Sequence, residues 1–594
     1  MELKRFSQER FFPMNDMNCE SKEKRMPEAR EQEKMMKGAD IVIQCLERAG
    51  VEVIFAYPGG QSIELHQSLS RSALRVILPR HEQGGAFAAV GAARATGKTG
   101  VCMATSGPGA TNLITGIADA YMDSIPTVFI TGQVGLSLIG KNAFQETDII
   151  GITRPIVKHS FLVLDIDDIP RIMDDAFRIA NTGRPGPVVV DVPKNIQQQM
   201  TRPVFPESPC GLQYQVKHTG FRTSDVEAVR SAIRRSRKPC IYAGGGVITA
   251  NASEELRKFA HAYQIPVATT LMGIGAFPED DPLSLRWLGM HGTYYANYAA
   301  NESDLLLAFG ARFDDRVTGP TETFAPGALI VHVDIDFSEI NKNKRADIGI
   351  VADIREFLEA LNREPFAADC REWHEQIAAW KREHPLTYEK KDALQPQHVV
   401  ETLCRLTGGN AIVVPGVGQH QMWAAQYYRF TEPRHFLTSG GLGSMGMGLP
   451  SAMGAKVAMP GMTVVNIDGD GSFQMNIQEL GTLNAENIDV KMIILNNQHL
   501  GMVAQWEDRF YGSNRGNTVM INRHSPRPYP DFVAIAKGYG IPGMEISRRS
   551  EVEDAVRAML EHKGAFLLDC HTGYHEHVLP MIPPGKTYRD ILEH

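Results

Sequence analysis

The residues that could most clearly carry chemistry are Asp470, inside a Gly-Asp-Gly turn, and Asn497, at the end of an Asn-Asn pair. Each follows a run of aliphatic residues that predicts a buried strand, and the stretch at about 476–486 between them predicts a helix. In such a unit the two side chains lie at the carboxyl ends of parallel strands, where open α/β sheets bind ligands. Carboxylate and amide oxygens suit Mg²⁺, which completes its shell with phosphate oxygens and water. A simple turn would explain either motif alone, but the combination favours a site for Mg²⁺ and a diphosphate.

Glu82 is the second candidate for chemistry. It follows the predicted strand Arg75–Leu78 and begins a helix of small apolar residues, so its neighbourhood is largely uncharged. Alone, a glutamate at this position is explained by its favourable interaction with the helix macrodipole. Beside a metal and diphosphate site it is also a candidate for proton transfer, because burial raises the pKa of a carboxyl group.

Together these motifs resemble those of the thiamine-diphosphate enzymes, whose cofactor motif begins with GDG and closes with NN. The resemblance implies that Asp470, Asn497 and the backbone carbonyl of His499 bind Mg²⁺. It also implies that Glu82 shares a proton with N1′ of the aminopyrimidine and so activates the cofactor. In that superfamily the glutamate and the metal site come from different subunits, so the implied assembly is a homodimer or a homotetramer.

The elements that must position these residues are short β-branched strands that alternate with amphipathic helices. This alternation predicts an α/β fold with mainly parallel sheets flanked by helices. The predicted strands include Val53–Ala56, Val101–Ala104, Thr127–Thr131, Val188–Val192, Cys240–Ala243, Leu305–Phe309, Ile330–Val333, Met462–Ile467 and Met492–Leu495. The predicted helices include Ala39–Ala49, Val226–Arg235, Ser253–Tyr263 and Val552–Leu560.

Two segments without periodicity, Pro203–Gly220 and Glu383–His398, are predicted connectors. They divide the chain into three domains of ordinary size, preceded by a flexible N-terminal extension. The extension covers residues 1–37, and the domains cover 38–205, 206–394 and 395–594. By the same resemblance the domains would be a pyrimidine-binding domain with the activating glutamate, a central FAD-binding-like domain, and a domain that binds the diphosphate and Mg²⁺.

Composition excludes several functional classes. The 594 residues carry a formal net charge of -8, and no segment holds the basic stripe of a nucleic-acid binder. No apolar run approaches the roughly 18 residues that a membrane span needs. The N-terminus lacks the apolar segment of a secretory signal and is too rich in Glu for a transit peptide. The eight cysteines form no CxxC pair or zinc-like cluster, which fits a reduced, cytoplasmic location.

From about residue 38 to its end, the chain resembles the catalytic subunits of the acetohydroxyacid synthase (acetolactate synthase) family in its FAD-containing anabolic form. The resemblance rests on long stretches such as RHEQGGAFAA, TSGPGATNL, FGARFDDRVTG and NNQHLGMVAQWEDRFY. It implies decarboxylation of pyruvate on thiamine diphosphate and ligation of the two-carbon unit to a second 2-keto acid. Pyruvate as acceptor gives 2-acetolactate and 2-ketobutyrate gives 2-aceto-2-hydroxybutyrate, which begins branched-chain amino-acid synthesis. A separate regulatory subunit with valine feedback would follow from the resemblance alone.

Several further residues match family positions near the reaction centre. By themselves Arg316, beside two aspartates, would indicate a structural ion pair, and Trp506 would indicate core packing. The resemblance implies instead that Arg316 binds the carboxylate of the second keto acid, a task suited to a guanidinium. It implies that Trp506 lines the acceptor pocket and favours 2-ketobutyrate, whose extra methylene contributes about 1–3 kcal/mol. Phe144, Gln145 and Lys194 match residues near the reaction centre or its access channel.

A glycine-rich stretch at 441–446 has the GxGxxG spacing, but no acidic residue after a following strand supports a dinucleotide site. We interpret it as a wall beside thiamine, with Met445 as the apolar wedge that bends the cofactor. By resemblance, the residues that bind thiamine diphosphate and its metal are Gln419, His420, Gly443, Ser444, Met445, Asp470, Gly471, Ser472, Asn497, His499, Gly501 and Met502.

The central domain matches family positions that line FAD. Gly244 and Gly245 follow the predicted strand Cys240–Ala243, where a turn can hold a phosphate. The other matching residues are Arg184, Thr270, Leu271, Leu288, Gly289, Met290, His291, Gly310, Arg312, Asp314, Asp334, Ile335, Asp353 and Ile354. Each alone would be explained as a turn or core residue, whereas the ordered set favours flavin. Because the reaction has no net redox step, this flavin would be structural and not a hydride carrier.

Three positions depart from the family pattern: Gln61, Gly135 and Pro584. In the family they cluster at the mouth of the active-site channel, so we expect altered sensitivity to herbicides that block this channel. Another thiamine-diphosphate enzyme, a pyruvate oxidase or a catabolic acetolactate synthase, is one alternative, which the RFDDR and QWEDRF stretches disfavour. A catalytically silent regulatory homologue is the other, and the intact Glu82 and Asp470 disfavour it.

Overall fold

The computed structural model describes residues 35–215, 220–525 and 527–593. These residues form three large sheets of six, six and five strands, and all the strand pairs within them are parallel. Helices flank each sheet, so the predicted α/β fold is confirmed. Strands of this kind are buried on both faces, which explains nearly continuous apolar runs such as that of residues 187–193.

The first domain holds a sheet in the order β3-β2-β4-β5-β7-β6 and a small antiparallel pair of β1 and β8. Its strands are β1 (Met36–Lys37), β2 (Val53–Ala56), β3 (Arg75–Ile77), β4 (Gly100–Ala104), β5 (Thr127–Gln133), β6 (His159–Leu162), β7 (Pro187–Pro193) and β8 (Met200–Thr201). Its α-helices are α1 (Gly38–Ala49), α2 (Ile63–Leu69), α3 (Glu82–Thr96), α4 (Pro108–Asn112), α5 (Ile114–Met122), α6 (Ile149–Thr153), α7 (Ile169–Asn181) and α8 (Lys194–Gln198).

The second domain holds a sheet in the order β11-β10-β9-β12-β13-β14. Its strands are β9 (Pro239–Ala243), β10 (Val267–Thr269), β11 (Ser284–Trp287), β12 (Leu305–Phe309), β13 (Leu329–Asp334) and β14 (Ile348–Val351). Its α-helices are α9 (Thr223–Arg235), α10 (Gly245–Thr249), α11 (Ser253–Tyr263), α12 (Tyr294–Asn301), α13 (Asp315–Thr318), α14 (Ile354–Leu361) and α15 (Arg371–Glu383).

The third domain holds a sheet in the order β15-β16-β17-β19-β18. Its strands are β15 (Ile412–Pro415), β16 (Val464–Gly469), β17 (Val490–Asn496), β18 (Gly543–Ile546) and β19 (Phe566–His571). Its α-helices are α16 (Pro396–Thr407), α17 (Gln419–Tyr427), α18 (Gly448–Ala458), α19 (Asp470–Gln474), α20 (Leu480–Ala485), α21 (Gly501–Phe510), α22 (Phe532–Gly538) and α23 (Val552–Glu561).

The first and third domains share one hydrophobic core, in which α3 packs directly on α18. The two backbones approach so closely that side chains are excluded at the crossing. A Cβ on Gly91 would lie 2.2 Å from the Ser451 carbonyl oxygen, and one on Gly454 would lie 1.9 Å from the Ala88 carbonyl oxygen. The small residues after Glu82 therefore serve a tight helix contact that joins two domains.

The prediction of one helix at about 476–486 is wrong. The chain instead forms α19 directly after Gly469, then a 3-10 turn at Ile477–Glu479, and then the short helix α20. The reason is tertiary. The Asn476 side chain donates to the Gly446 carbonyl oxygen (2.8 Å), and the buried Glu479 carboxylate accepts backbone N–H groups from Arg80 and His81. These contacts outweigh local helix propensity.

The predicted N-terminal extension falls almost entirely outside the described residues, which begin at 35. The strand β1, at the end of that extension, pairs with β8. In the first predicted connector, Gln213 and Gln215 form isolated bridges to Lys98 and Thr182 of the first domain. Among the described residues, no helix is long and apolar enough to cross a membrane.

Candidate active site

A small cavity of about 70 Å³ lies at the carboxyl ends of the neighbouring parallel strands β16 and β17. The position of Asp470 and Asn497 at two adjacent strand ends is therefore as predicted. The predicted residues that line this cavity are Gln419, His420, Met445, Asp470, Gly471, Ser472, Asn497, His499, Gly501 and Met502.

Asp470 is buried, and its Oδ2 atom has no hydrogen-bond partner among the protein groups. Burial raises the pKa of its carboxyl group from the ordinary value to about 7. Buried acceptors are normally satisfied, so an unpartnered carboxylate oxygen in a cavity fits a cation. In the described part of the chain, no three His, Cys, Asp or Glu side chains are grouped to hold a metal. The predicted ligand set is of a different kind, because it contains only one carboxylate.

The neighbours of Asn497 hold the other side of this cavity in a fixed arrangement. Its Nδ2 donates to Gln419 Oε1 (3.1 Å), and its Oδ1 accepts the His499 backbone N–H (3.0 Å). Gln419 Nε2 in turn donates to Gln505 Oε1 (2.9 Å) and to the Glu576 carbonyl oxygen (3.1 Å). The amide oxygen of Asn497 and the His499 backbone are thus oriented before any ligand binds.

A much larger cavity of about 500 Å³ lies where the three domains meet. It contains every residue of the predicted flavin set except Gly289, whose N–H instead donates to Asn297 Oδ1 (3.0 Å). Burial raises the pKa of Asp334 to about 7 and lowers that of His291 to about 4. At the pH of most cells the His291 side chain is therefore neutral.

The two cavities adjoin each other. Val417, Gly418, Met445, Met502 and Val503 line both. Met445 therefore lies at the junction, where the sequence interpretation expects an apolar wedge. Gly443 lines only the larger cavity, and Ser444 lines neither, because its hydroxyl donates to Asp119 Oδ1 (3.1 Å) in the first domain.

Arg316 and Trp506 also line the larger cavity. The Arg316 side chain is 63% exposed, and its Nε lies 3.8 Å from Asp315 Oδ2, so it is not fixed in a buried ion pair. Arg316 also lines a third cavity of about 190 Å³, and Pro584 lines that cavity too. The structure thus brings both predicted acceptor residues to the cavity that reaches the Met445 junction.

The remaining predicted residues lie elsewhere in the chain. Glu82, Phe144, Gln145 and Lys194 line none of these three cavities. Glu82 begins α3 at the carboxyl end of the first sheet and is half-buried, with its Oε2 accepting from Asn112 Nδ2 (2.9 Å).

The same end of the first sheet holds the rest of this group. Lys194 Nζ donates to the Gly60 carbonyl oxygen (3.1 Å), and Gln145 packs against Gly107 with a positive φ of 60°. The Phe144 side chain is 85% exposed. Gln61 and Gly135 lie in the same region, beside Gln197 and Asn195, and thus apart from Pro584.

Sequence reasoning missed a group of residues that line the larger cavity from all three domains. They are Met122, Asp123, Ser124, Pro185, Tyr214, Thr249, Ala250, Met272, Trp287, Val317, Glu339, Val417, Gly418, Gln421, Met422, Ser439, Gly440 and Val503. Tyr214 lies in a segment interpreted as a connector, yet its hydroxyl donates to Asp353 Oδ2 (3.2 Å). A tyrosine between two glutamines, Gln213 and Gln215, was the available signal.

Comparison with known protein families covers all three domains. The description "Thiamine pyrophosphate enzyme, N-terminal TPP binding domain" matches residues 36–152, the central domain of the same family matches 226–361, and its C-terminal TPP binding domain matches 416–570. The chain is similar to "Acetolactate synthase 1, chloroplastic" of Zea mays, with 54% identity over 567 residues, 94% of this chain and 88% of the relative.

Two further relatives have the same coverage of this chain. "Acetolactate synthase 1, chloroplastic" of Oryza sativa subsp. japonica is 54% identical over 566 residues, which are 94% of this chain and 88% of the relative. "Acetolactate synthase, chloroplastic" of Arabidopsis thaliana is 51% identical over 568 residues, which are 94% of this chain and 84% of the relative.

Proposed function

Because the chain belongs to the acetolactate synthase family of thiamine-diphosphate enzymes, we propose that it decarboxylates pyruvate and joins the two-carbon unit to a second 2-keto acid. The observation that carries this proposal is the junction of the two cavities. An unpartnered buried carboxylate oxygen of Asp470 lies in one of them, and the largely exposed guanidinium of Arg316 lines the other. One end suits a metal-bound diphosphate and the other an anionic substrate.

The third domain holds the cofactor in this proposal. Asp470, Asn497 and the backbone carbonyl of His499 bind Mg²⁺, and Gln419 and the neighbouring glycines hold the diphosphate. Thiamine diphosphate supplies the electron sink, which accepts the electron pair that stays behind when CO2 leaves. The preset amide of Asn497 means that little side-chain ordering is needed when the metal enters.

Glu82 supplies the activating carboxylate from a second copy of the chain. Within one chain it lies outside all three cavities, at an open end of the first sheet. Large apolar side chains are exposed in the segment that follows β5 of the same sheet, including Phe144 (85%) and Leu138 (46%), and others are exposed in the third domain, including Met475 (52%). Covering both surfaces by association would bring Glu82 to the aminopyrimidine, so the active unit is a homodimer or a tetramer built from it.

Arg316 and Trp506 select the acceptor. The exposed guanidinium binds the carboxylate of the second 2-keto acid, and the indole packs against its alkyl group. Lys194, Gln145 and Phe144 enter the same space from the partner copy and line the route of the substrate. With pyruvate the product is 2-acetolactate, and with 2-ketobutyrate it is 2-aceto-2-hydroxybutyrate, at the start of isoleucine and valine synthesis.

FAD occupies the larger cavity in this proposal. The support is its length across three domains and its polar lining at separate points, with Arg184, Asp334 and Asp353 among the lining residues. Gly244 and Gly245 line the cavity at the start of α10, where the backbone packs tightly on the next strand end: a Cβ on Gly244 would lie 2.0 Å from the Gly310 carbonyl oxygen. The reaction needs no net electron transfer, so the flavin contributes to structure.

Location and regulation extend the proposal. We place the enzyme in the cytoplasm, because its described cysteines are free thiols. The named relatives are chloroplastic, so cell fractionation is the direct check. A separate regulatory subunit rests on the resemblance alone, and co-purification together with valine inhibition would test it.

The decisive experiment is a product assay of the full chain with thiamine diphosphate, Mg²⁺ and FAD. Pyruvate alone should give 2-acetolactate, and added 2-ketobutyrate should give 2-aceto-2-hydroxybutyrate. Glu82→Gln should lose nearly all of both products, because the amide cannot share the proton. Acetaldehyde or acetyl phosphate without a carboligation product would instead identify a decarboxylase or an oxidase and would remove the role given to Arg316.

A further inference from the structure

A buried cluster of three charged residues joins the first domain to the glycine-rich loop, which is defined here as residues 439–446. Arg94 on α3 donates through Nη2 to Asp119 Oδ2 (2.9 Å) and to Asp123 Oδ2 (2.8 Å), both at the end of α5. The Arg94 side chain is 3% exposed and the two carboxylates are fully buried. Burial alone would lower the pKa of Arg94, but the two carboxylates outweigh it and raise that pKa.

The carboxylates hold the loop by its backbone. Asp123 accepts the N–H of Gly440 (3.0 Å) at one oxygen and that of Gly441 (2.7 Å) at the other. A side chain would not fit in this contact, since a Cβ on Gly441 would lie 2.8 Å from Asp123 Oδ1. The loop is therefore seated directly on the acid.

Asp119 controls the second half of the same loop through Ser439. The Ser439 hydroxyl donates to Asp119 Oδ1, and its Oγ accepts the N–H groups of Gly443 (2.9 Å) and Ser444 (3.0 Å). The Ser444 hydroxyl donates to the same carboxylate oxygen (3.1 Å). At the loop tip Leu442 is 43% exposed, so packing contributes little there and the conformation depends on these hydrogen bonds.

We propose that Asp119, Asp123 and Arg94 are positioning residues that hold the glycine-rich loop, and with it Met445, in the geometry that thiamine diphosphate requires. This inference rests on the proposed function of the site. Met445 lies at the junction of the two cavities, and at the end of the loop Gly446 donates its N–H to Ser472 Oγ (3.0 Å) beside Asp470. The loop is thus anchored at one end on the first domain and at the other on the metal motif.

The test uses the full chain with Asp119→Asn and Asp123→Asn. Every oxygen of both carboxylates accepts from a donor, so an amide NH2 would face a donor in either orientation. We expect the Kd of thiamine diphosphate with Mg²⁺, measured by calorimetric titration without substrate, to weaken about tenfold. We expect kcat at saturating cofactor to fall roughly 10- to 100-fold while the KM for pyruvate changes less, since a displaced group costs rate.

A matched control is Glu279→Gln in the second domain. Glu279 is also buried, pairs with Arg286 (3.2 Å) and accepts the Phe430 backbone N–H (3.0 Å) from the third domain. It lines none of the three cavities. This variant should lower the unfolding temperature and leave the Kd and kcat within about twofold of wild type, which is the behaviour of a purely structural pair.

Ser439→Ala keeps the inference testable if the Asn variants do not fold. It removes only the link between Asp119 and the loop N–H groups, so it should move Kd and kcat in the same direction by a smaller factor. Combined with Asp119→Asn it should add little, because both changes break one path.

The inference would be overturned if Kd and kcat were unchanged in all three variants, Asp119→Asn, Asp123→Asn and Ser439→Ala, while their unfolding temperatures fell. The cluster would then only stabilise the fold. If the wild type binds thiamine diphosphate but makes no 2-acetolactate, the proposed function fails. The Kd measurements then still decide whether Asp119 and Asp123 position the glycine-rich loop for the cofactor.

Discussion

Two regions of the molecule carry chemistry-bearing residues, and a single chain completes them to different degrees. In the third domain Asp470 is buried and the Asn497 amide is held by Gln419, and the cavity beside them adjoins the three-domain cavity at Met445. At the carboxyl end of the first sheet, Glu82 is half-buried and Phe144 is 85% exposed.

In the proposed enzyme, cofactor binding and cofactor activation therefore lie in different parts of the fold. The cavities are formed by cores that fold within one chain, so a cofactor can find a preset site there. The open end of the first sheet presents its acid and its apolar side chains outward, where only association can enclose them. On the proposed function, Glu82 is kept apart from the cofactor within one chain and acts only in the assembly.

Complementation between two inactive variants tests most directly whether Glu82 and Asp470 act from different chains. Glu82→Gln and Asp470→Ala should each reduce product formation about a thousandfold, because one removes the proposed proton-sharing acid and the other a proposed metal ligand. When the two inactive proteins are unfolded and refolded together, activity should return to about a quarter of wild type. Random pairing makes half of the dimers hybrids, and each hybrid holds one intact site out of two.

The control for complementation is the double variant with both changes, refolded with Glu82→Gln. No dimer in that mixture has an intact site. No recovery in the first mixture, with normal dimers by sedimentation, would place Glu82 and Asp470 in the same chain's site and remove the distinction between the two regions.

A second test concerns Glu479, the buried acid by which the third domain accepts N–H groups from Arg80 and His81, next to Glu82. Burial raises the pKa of Glu479 from 4.5 to about 7. Below pH 4.5 both the folded and the unfolded chain hold this proton. As the pH rises from 4.5 to about 7, the unfolded chain loses this proton first and the folded chain keeps it. The contribution of the raised pKa to the free energy of unfolding is therefore lost progressively over this range, in total about 3 kcal/mol.

Glu479→Gln should remove this dependence, so that its free energy of unfolding relative to wild type improves by about 3 kcal/mol between pH 4.5 and pH 7.5. Urea unfolding at a series of pH values gives the comparison. Glu486→Gln is the control, since its carboxylate also reaches the first domain, 3.9 Å from Arg75, but is partly exposed. For Glu486→Gln, the free energy of unfolding relative to wild type should differ by less than about 0.5 kcal/mol across the same pH series. The same dependence on pH in both variants would contradict the role given to Glu479.

The third test fills the larger cavity without touching the first domain. Thr249, at the end of α10, lines that cavity. Thr249→Trp should weaken FAD binding roughly 10- to 100-fold through overpacking, while binding of thiamine diphosphate changes little. Flavin absorbance per chain after gel filtration measures it, with Thr249→Val as the control of equal shape. Full flavin content in the Trp variant would mean that the flavin does not occupy this cavity.

The sequence predicted strand ends well because strand identity is local. Asp470 and Asn497 each follow an aliphatic run, and the two strands are neighbours in the sheet, so their meeting required only the right-handed crossover. The helix expected at 476–486 failed because Asn476 and Glu479 bond to other segments. Local pattern carries no information about such partners.

The contacts between domains were beyond the sequence for the same reason. Ser444 was grouped with the predicted cofactor-binding residues, but its hydrogen-bond partner Asp119 lies in another domain. An i, i+4 pair of acids, Asp119 and Asp123, on an otherwise small and apolar helix was the signal that a buried role was present. Nothing local could tell that its partner was a glycine-rich loop.

The smallest effect is expected at Gln61, one of the three departures from the family at the channel mouth. Its backbone is held by Thr105 Oγ1 (3.2 Å) and by Gln197 Nε2 (2.7 Å), while its side-chain Oε1 is buried without a partner. Gln61→Ala should therefore keep the backbone in place and open space in the channel. Inhibition by a sulfonylurea should strengthen roughly fivefold, equivalent to about 1 kcal/mol, with kcat for pyruvate nearly unchanged. Gln67→Ala, the same change on the exposed face of α2, should leave inhibition as it is. Wild-type inhibition already as strong as that of the chloroplastic relatives would show that Gln61 does not narrow the channel, and that the first-domain end is more open in the assembly than its residues suggest.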